Sequence, residues 1–356
     1  MDRAARIKDI ALQAQVSVGT VDRVLHSRGR VADEVRLRIL KITKDLDYKP
    51  NLSARALATD KTYRIAALIP DPAVDAYWQA PQDGVEKAGA ELAHYGVIIT
   101  QFTFDPFNHN SFSALAQQVS SSEYDGILVA PIFPQHSLSY FKKWKRAGIP
   151  FVLFHTQIPD FEPLVYIGQD SYQSGLLAGK ILHFGNQEAG SMVVAHIGES
   201  SQSSSHLLHR EQGFRDYFTR NNLVNRYPIQ ALSFQPSSPA PVTEQLREMF
   251  ESTPGLTGIF VTTSKAYVVA DYLQQNPGPK INLIGYDLIE SNLRCLETGS
   301  IQFLINQNPK GQGYWGIHAL ADHLVFHKKN KPTKYLPLDV ITRENLQYYM
   351  ECLVFK

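Results

Sequence analysis

Apolar positions recur with a helical period at the start of the chain and then change character. Ile7, Ile10, Ala11 and Ala14 share one helical face, and Val18, Val21 and Leu25 recur at i, i+3 and i+7. Val35, Ile39, Ile42 and Leu46 form a third stripe, on a helix expected from about Ala32 to Asp47. About three residues join the first two helices, with Ser17 placed to cap the second. Two short helices around so tight a turn predict a helix-turn-helix, whose second helix enters the DNA major groove. Beyond Tyr48-Lys49-Pro50, where proline forces an extended entry, Asn51 is placed to cap a helix over Leu52–Ala58. A helix that short is unstable alone in water, so it needs a partner helix or a DNA groove; an ordinary linker is the alternative.

From Tyr63 onward, short apolar runs alternate with helical ones. Strands are expected at 65–69, 97–102, 126–130, 151–154, 192–197, 258–262 and 281–286, with helices over 81–94, 112–120, 138–147, 172–184 and 211–220. This alternation predicts an α/β fold of parallel sheets covered on both faces, with ligand outside the carboxyl ends of the strands.

Composition adds a partner. The chain has 356 residues, 44% of them hydrophobic, enough for more than one core. Its formal charge of +1 hides a split. Residues 1–64 carry fourteen Lys/Arg against eight Asp/Glu, and the remainder carries twenty-one against twenty-six. A basic head on an acidic body suits a protein that meets polyanion at one end, although a solvated basic surface would look the same. Cys295 and Cys352 are the only cysteines, too few for a disulfide framework or a thiolate metal cluster. The N-terminus is charged from Asp2 and carries no apolar signal segment, and no run approaches the ~18 apolar residues of a membrane span. A soluble, cytoplasmic protein with no membrane partner is expected.

Catalytic signatures are missing from the sequence. It contains no G-x-S-x-G elbow, no metal-spaced His/Cys set and no dinucleotide fingerprint after the first strand. Gly311-Gln312-Gly313 with Gly316 lacks the Lys-Ser/Thr ending of a phosphate loop. No catalytic residue, cofactor or metal is therefore expected. The serine-rich stretch 199–206 reads either as a cover over a cleft or as a plain loop.

Several spaced motifs in the head carry a family resemblance: Asp9-Ile10-Ala11, Val16-Ser17, Thr20-Val21, Arg23-Val24, Val31, Tyr48, Pro50-Asn51 and Ala56-Leu57-Ala58. In this order they resemble the DNA-binding head of the lactose-repressor (LacI/GalR) family of bacterial transcription regulators. The resemblance implies a homodimer, with tetramers as a further assembly, on a near-palindromic double-stranded operator. Arg23 would reach a base edge or phosphate, Ser17 and Thr20 the backbone, and Arg55 the minor groove, with Arg30 and Asn51 also at the DNA. Leu57 of paired hinge helices would wedge into the central base step, trading unstacking for a bend that brings more protein onto DNA. Val18 and Gly19 stand where the family carries base-reading side chains, so Val18 offers only apolar contact, as to a thymine methyl. Asp22 replaces a small hydroxyl, and Arg6 replaces a Thr or Ser cap, so a phosphate contact would come from its guanidinium.

The body resembles the type-I periplasmic sugar-binding proteins, as does the rest of that family. The markers are Ile149-Pro150, Ile167-Gly168-Gln169-Asp170 leading into Ser174-Gly175, Arg210 before Gly213-Phe214, Gly285-Tyr286-Asp287 and Asn306-Gln307. The resemblance implies two Rossmann-like parallel-sheet lobes joined by three crossovers, with a small-molecule effector between them. The expected domains are a head over 1–50, a hinge and linker over 51–62, and a body over 63–356. Within the body the first lobe would take 63–170 and 307–332, and the second 171–306 and 333–356. The implied pocket comprises Tyr77, Trp78, His155, Asp170, Arg210, Thr263, Asp287 and Gln307: aromatic faces plus a few directional polar groups. His155-Thr156 and Thr263-Ser264 replace charged or amide pairs of the sugar binders. A sugar or sugar derivative is the expected effector, with another small polar metabolite as the alternative. Together the two resemblances imply a ligand-responsive transcriptional repressor; a sugar-processing enzyme and a solute-binding protein are the competing readings.

Overall fold

The computed structural model describes residues 6–25, 29–46, 61–158, 161–186, 188–198, 204–235 and 240–354. Contacts divide the chain into two compact units, Met1–Asp60 and Lys61–Lys356. The expected hinge helix, with Asn51, Arg55 and Leu57, lies outside the described residues, as does 199–203 of the serine-rich stretch.

The first unit contains α1 (Ile7–Gln13), α2 (Val18–Leu25) and α3 (Asp33–Asp45). Ile10, Ala14, Val21 and Ile39 are fully buried at its centre, with Ala11 and Val24 beside them. Val24 takes the core place expected for Val18, which is 39% exposed. The stripe is centred on Val21, and Val18 in the first turn falls at its edge, turned outward. Gln15 adopts a left-handed φ of +53° in the turn between α1 and α2, which reverses the chain within so few residues.

In the second unit the strands are β1 (Tyr63–Pro70), β2 (Val97–Phe104), β3 (Gly126–Val129), β4 (Phe151–Phe154), β5 (Val165–Gly168), β6 (Ser191–Ile197), β7 (Ile229–Phe234), β8 (Leu256–Val261), β9 (Asn282–Tyr286), β10 (Phe303–Asn306), β11 (Thr333–Tyr335) and β12 (Asp339–Ile341). They form two sheets of the same winding, β11-β5-β4-β3-β1-β2 and β12-β10-β9-β8-β6-β7. Pairings are parallel except β10 with β12. All seven expected strands are present. The five unexpected ones either have three or four residues or, like β7, lie half exposed at an edge, where hydrophobic periodicity is weakest. One expected boundary moves: β11 pairs with β5, Thr333 opposite Tyr166, so the first lobe runs on to Tyr335 and does not end at 332. The pairing covers an edge that β5 would otherwise leave open.

Helices cover both sheets: α4 (Gln79–Leu92), α5 (His109–Ser120), α6 (Pro134–Arg146), α7 (Ser171–Gly185), α8 (Ser205–Arg220), α9 (Val242–Ser252), α10 (Ala266–Gln275), α11 (Glu290–Glu297), α12 (Pro309–Leu324) and α13 (Arg343–Val354). Each lobe presses one helix pair into backbone contact at two glycines. A Cβ on Gly84 would stand 2.0 Å from the Lys310 carbonyl and one on Gly313 2.1 Å from that of Pro81, between α4 and α12. A Cβ on Gly175 would meet the Arg210 carbonyl at 2.0 Å, and one on Gly213 that of Tyr172 at 2.0 Å, between α7 and α8. The second pair fixes the backbone of Arg210 against the start of α7.

The chain crosses between lobes after β5, after β10 and between β11 and β12. One side chain ties the three crossings together: Gln169 Nε2 donates to the Asn306 carbonyl at 2.7 Å and to the Pro337 carbonyl at 3.1 Å.

Candidate functional site

The two lobes present the same strand end to each other. His155 follows β4 and Asp287 follows β9, and each holds a left-handed φ of +67°. Neither is glycine, so each position stores on the order of 1 kcal/mol of backbone strain. The Asp287 carboxylate accepts from the Gln307 amide N–H at 3.2 Å and from Gln307 Nε2 at 2.6 Å. Arg210 donates from Nη1 to the Thr262 carbonyl at 2.6 Å and from Nη2 to Gln307 Oε1. Its guanidinium lies 3.8 Å from the centre of the Tyr286 ring, whose hydroxyl is paired with Ser174 Oγ at 2.7 Å. Arginine can only donate and a carboxylate can only accept, so the Gln307 amide between them has one workable orientation.

Aromatic rings close the other side. Asp75 Oδ1 accepts from the Tyr77 N–H at 3.1 Å and starts the short turn Ala76–Trp78. Tyr77 and Trp78 meet edge to face at 4.9 Å, and His155 stands 4.9 Å from Trp78 and 5.3 Å from Tyr77. His206, at the start of α8 in the second lobe, lies 4.8 Å from His155. Thr156 Oγ1 sits between them, 3.1 Å from His155 Nδ1 and 3.4 Å from His206 Nδ1.

Burial dominates the electrostatics. Burial, aided by the Arg210 charge, lowers His155 to about 3. Burial likewise holds His206 well below its ordinary value, so both rings are neutral at pH 7. Burial raises Asp287 to about 6, even though the Gln307 hydrogen bonds and Arg210 pull it down. The Tyr77 hydroxyl is pushed well above the ordinary phenol range by burial and by the Asp287 charge. Two polar atoms here are fully buried without a partner: the Tyr77 hydroxyl and Arg210 Nε. Unpaired buried donors cost about 1–3 kcal/mol each, and both of these could be satisfied by polar groups of a bound molecule.

Six of the eight expected pocket residues, Tyr77, Trp78, His155, Arg210, Asp287 and Gln307, come together as this buried cluster. Asp170 stands apart. Its carboxylate accepts from the Gln173 N–H at 3.0 Å as the cap of α7, and it borders a separate recess of about 310 Å³. The Thr263 hydroxyl donates to the Ile197 carbonyl at 3.2 Å, and its neighbour Thr262 meets Arg210 instead. Thr156, His206 and Tyr286 belong to the cluster without having been among the expected pocket residues. Tyr286 lies inside the Gly-Tyr-Asp motif, which could have flagged it; His206 falls in the serine-rich stretch, where periodicity gives no signal. A larger recess of about 750 Å³ opens outside Trp78. Among the described residues no group of three or more His, Cys, Asp or Glu could hold a metal ion, and no helix is long and apolar enough to cross a membrane.

In the head, the Ser17 hydroxyl accepts from the Thr20 N–H at 3.2 Å and lies 2.9 Å from Thr20 Oγ1, which caps α2 as expected. Arg23 Nε donates to the Gly19 carbonyl at 3.2 Å, so its exposed guanidinium runs back along α2. The Arg6 N–H donates to Asp9 Oδ2 at 2.7 Å at the start of α1, and Arg30 is exposed before α3.

Residues 6–51 match the family of bacterial regulatory proteins named for lacI, and residues 65–329 match the periplasmic binding protein domain. The chain belongs to the LacI family. Its body resembles a structure from Bacteroides fragilis described as a LacI transcriptional regulator, with 33% identity and a TM-score of 0.74 over 81% of this chain and 100% of that one. It is 27% identical to the HTH-type transcriptional regulator MalR of Streptococcus pneumoniae over 85% of this chain and 93% of MalR. It is 25% identical to the sucrose operon repressor of Pediococcus pentosaceus over 79% of this chain and 82% of that protein. This LacI-family chain is a ligand-responsive, DNA-binding transcriptional regulator, as the relatives named here are regulators.

Proposed function

We propose that this regulator is a cytoplasmic, homodimeric repressor whose effector is a sugar or sugar derivative held between the lobes. The observation that carries the site is the pair of buried, unpartnered atoms, Tyr77 Oη and Arg210 Nε, beside the Arg210–Gln307–Asp287 chain. Aromatic faces next to donors and acceptors of fixed direction suit a ring that is apolar on its faces and hydroxylated at its edge. The sucrose operon repressor among the relatives supports the same ligand class. On the DNA side, Arg6, Ser17, Val18, Thr20, Arg23 and Arg30 would face the operator, and Asn51, Arg55 and Leu57 would form the hinge contact. Because effector and operator act on one equilibrium, each must change the other's affinity by the same factor.

A thermal-shift screen of the full chain against neutral sugars, sugar acids and non-sugar metabolites tests the effector site, since a ligand of the native state must raise the midpoint. Arg210→Ala and Asp287→Asn are each expected to abolish the shift. A shift retained in both variants would place the ligand elsewhere, and a response to non-sugar metabolites alone would overturn the ligand class. Leu57→Gly is expected to weaken binding to an operator selected from random DNA while leaving the effector shift of the full chain in place. Unchanged operator affinity would remove the wedge.

A further inference from the structure

We propose that the recess bordered by Gln169, Asp170 and Tyr335 is a second ligand site, apart from the Arg210–Asp287 cluster, and that it takes a small primary amine in its ammonium form. The recess measures about 310 Å³. At ~30 Å³ per water it has room for roughly ten waters, and so for a ligand of about that many non-hydrogen atoms.

Its walls are built to accept hydrogen bonds. Gln169, in the crossing after β5, is 4% exposed. Its Nε2 donates to the Asn306 and Pro337 carbonyls, so the amide cannot be turned over and Oε1 stays an acceptor. That oxygen is buried without a partner, and only a ligand that carries a hydrogen can satisfy it. Asp170 adds a carboxylate, and capping the Gln173 N–H does not cancel its charge. The rings of Tyr166 and Tyr335 meet at 76° with centres 6.4 Å apart, a corner whose π faces suit a cation. Among the described residues no lysine or arginine borders the recess; its two imidazoles are His206, held neutral by burial, and the exposed His209. The starts of α7 and α8 also border it, and by themselves they would favour an anion. A fully ionised anion has no hydrogen for Gln169 Oε1 and would meet the Asp170 carboxylate. The acceptors therefore decide the class.

Calorimetry on the full chain at neutral pH tests this with matched pairs: ethanolamine against ethylene glycol, cyclohexylamine against cyclohexanol, and benzylamine against benzyl alcohol. At least one amine is expected to bind tenfold or more tightly than its alcohol. Asp170→Asn keeps a side chain that caps α7 but removes the charge, and is expected to abolish the preference. Tyr335→Ala, at a position 53% exposed, is expected to reduce it by opening the aromatic corner. A preference below tenfold in every pair, or one left unchanged by either variant, would overturn the amine site. Because no probe is a sugar, either result leaves the effector reading standing.

Discussion

Acid should act on the closed cleft, because His155 and His206 face each other across the lobes in neutral form. Burial, with Arg210 adding to it, lowers His155 from its ordinary 6.5 to about 3. Such a group binds fewer protons folded than unfolded, so its contribution to stability is lost as pH falls below 6.5. At pH 5 the loss from His155 is roughly 2 kcal/mol, taking ~1.4 kcal/mol per pH unit. His206, lowered by burial and by the His155 and Arg210 charges, adds a loss of the same sign. Asp287 opposes both. Burial raises it from 3.8 to about 6, so the stability it contributes is present in acid and lost as pH rises through 6. Between pH 6 and 5 it returns about 1 kcal/mol. Two histidines against one carboxylate leave a net loss.

The control is the double variant His155→Asn/His206→Gln. Asparagine tolerates the left-handed backbone at 155, and glutamine suits the start of α8. Without the two imidazoles the Asp287 response is opposed in this window chiefly by His318, which burial also lowers, so the loss toward pH 5 should shrink. Equilibrium denaturation of the full chain at pH 7, 6 and 5 reads this directly. The parent protein is expected to lose at least about 1 kcal/mol more stability between pH 6 and 5 than the double variant. Parallel curves for the two proteins would refute the assignment of buried, neutral histidines to the interlobe contact.

Two further outcomes follow from the packing. Gln169→Ala removes both hydrogen bonds that tie the three crossings and strips a donor from two carbonyls, so the denaturation midpoint should fall by the equivalent of about 1–3 kcal/mol. An unchanged midpoint would show that the crossings hold without it. Ile10→Ala empties the centre of a small three-helix core at a cost of about 2–5 kcal/mol, so operator binding should be lost in mobility-shift assays. The effector shift of the body, a separate compact unit, should be retained.

What sequence reveals depends on whether a residue's role is written into its neighbours. Arg210 is legible because Gly213 follows it by three, and that glycine is required where the Tyr172 carbonyl of α7 lies against α8. Asp287 is legible because Gly285-Tyr286-Asp287 ends a strand, where side chains reach the cleft. Asp170 also ends a strand, yet it caps α7; an acid before a helix serves both roles equally well, and only the partner atom decides. Val18 and Val24 lie at the two edges of one helical stripe, and which of them is buried depends on the helices opposite, which periodicity cannot see. His206 is invisible for a different reason: its meaning comes from partners about fifty residues away, His155 and Thr156.

Several costs in the body meet at one cluster. Two non-glycine residues in left-handed conformation, a carboxylate raised to about 6, two imidazoles held neutral and two unpartnered buried atoms all occur within the Tyr77–His155–Arg210–Asp287 cluster. Elsewhere in the body the strands fill continuous cores beneath helices with matching apolar faces, and the left-handed residues Asn222, Asn308 and His327 and the unpartnered atoms of Gln101, Thr253 and Gln312 are scattered. A fold under selection for stability alone would replace Asp287 with a neutral residue and recover part of about 3 kcal/mol at neutral pH. Its presence there is a physical argument for function that does not depend on kinship. The same argument ranks the site residues: Asp287 and Arg210, whose burial is costliest, should be the least replaceable for effector binding, and Asp170 and Thr263, whose polar atoms are already satisfied within the fold, the most.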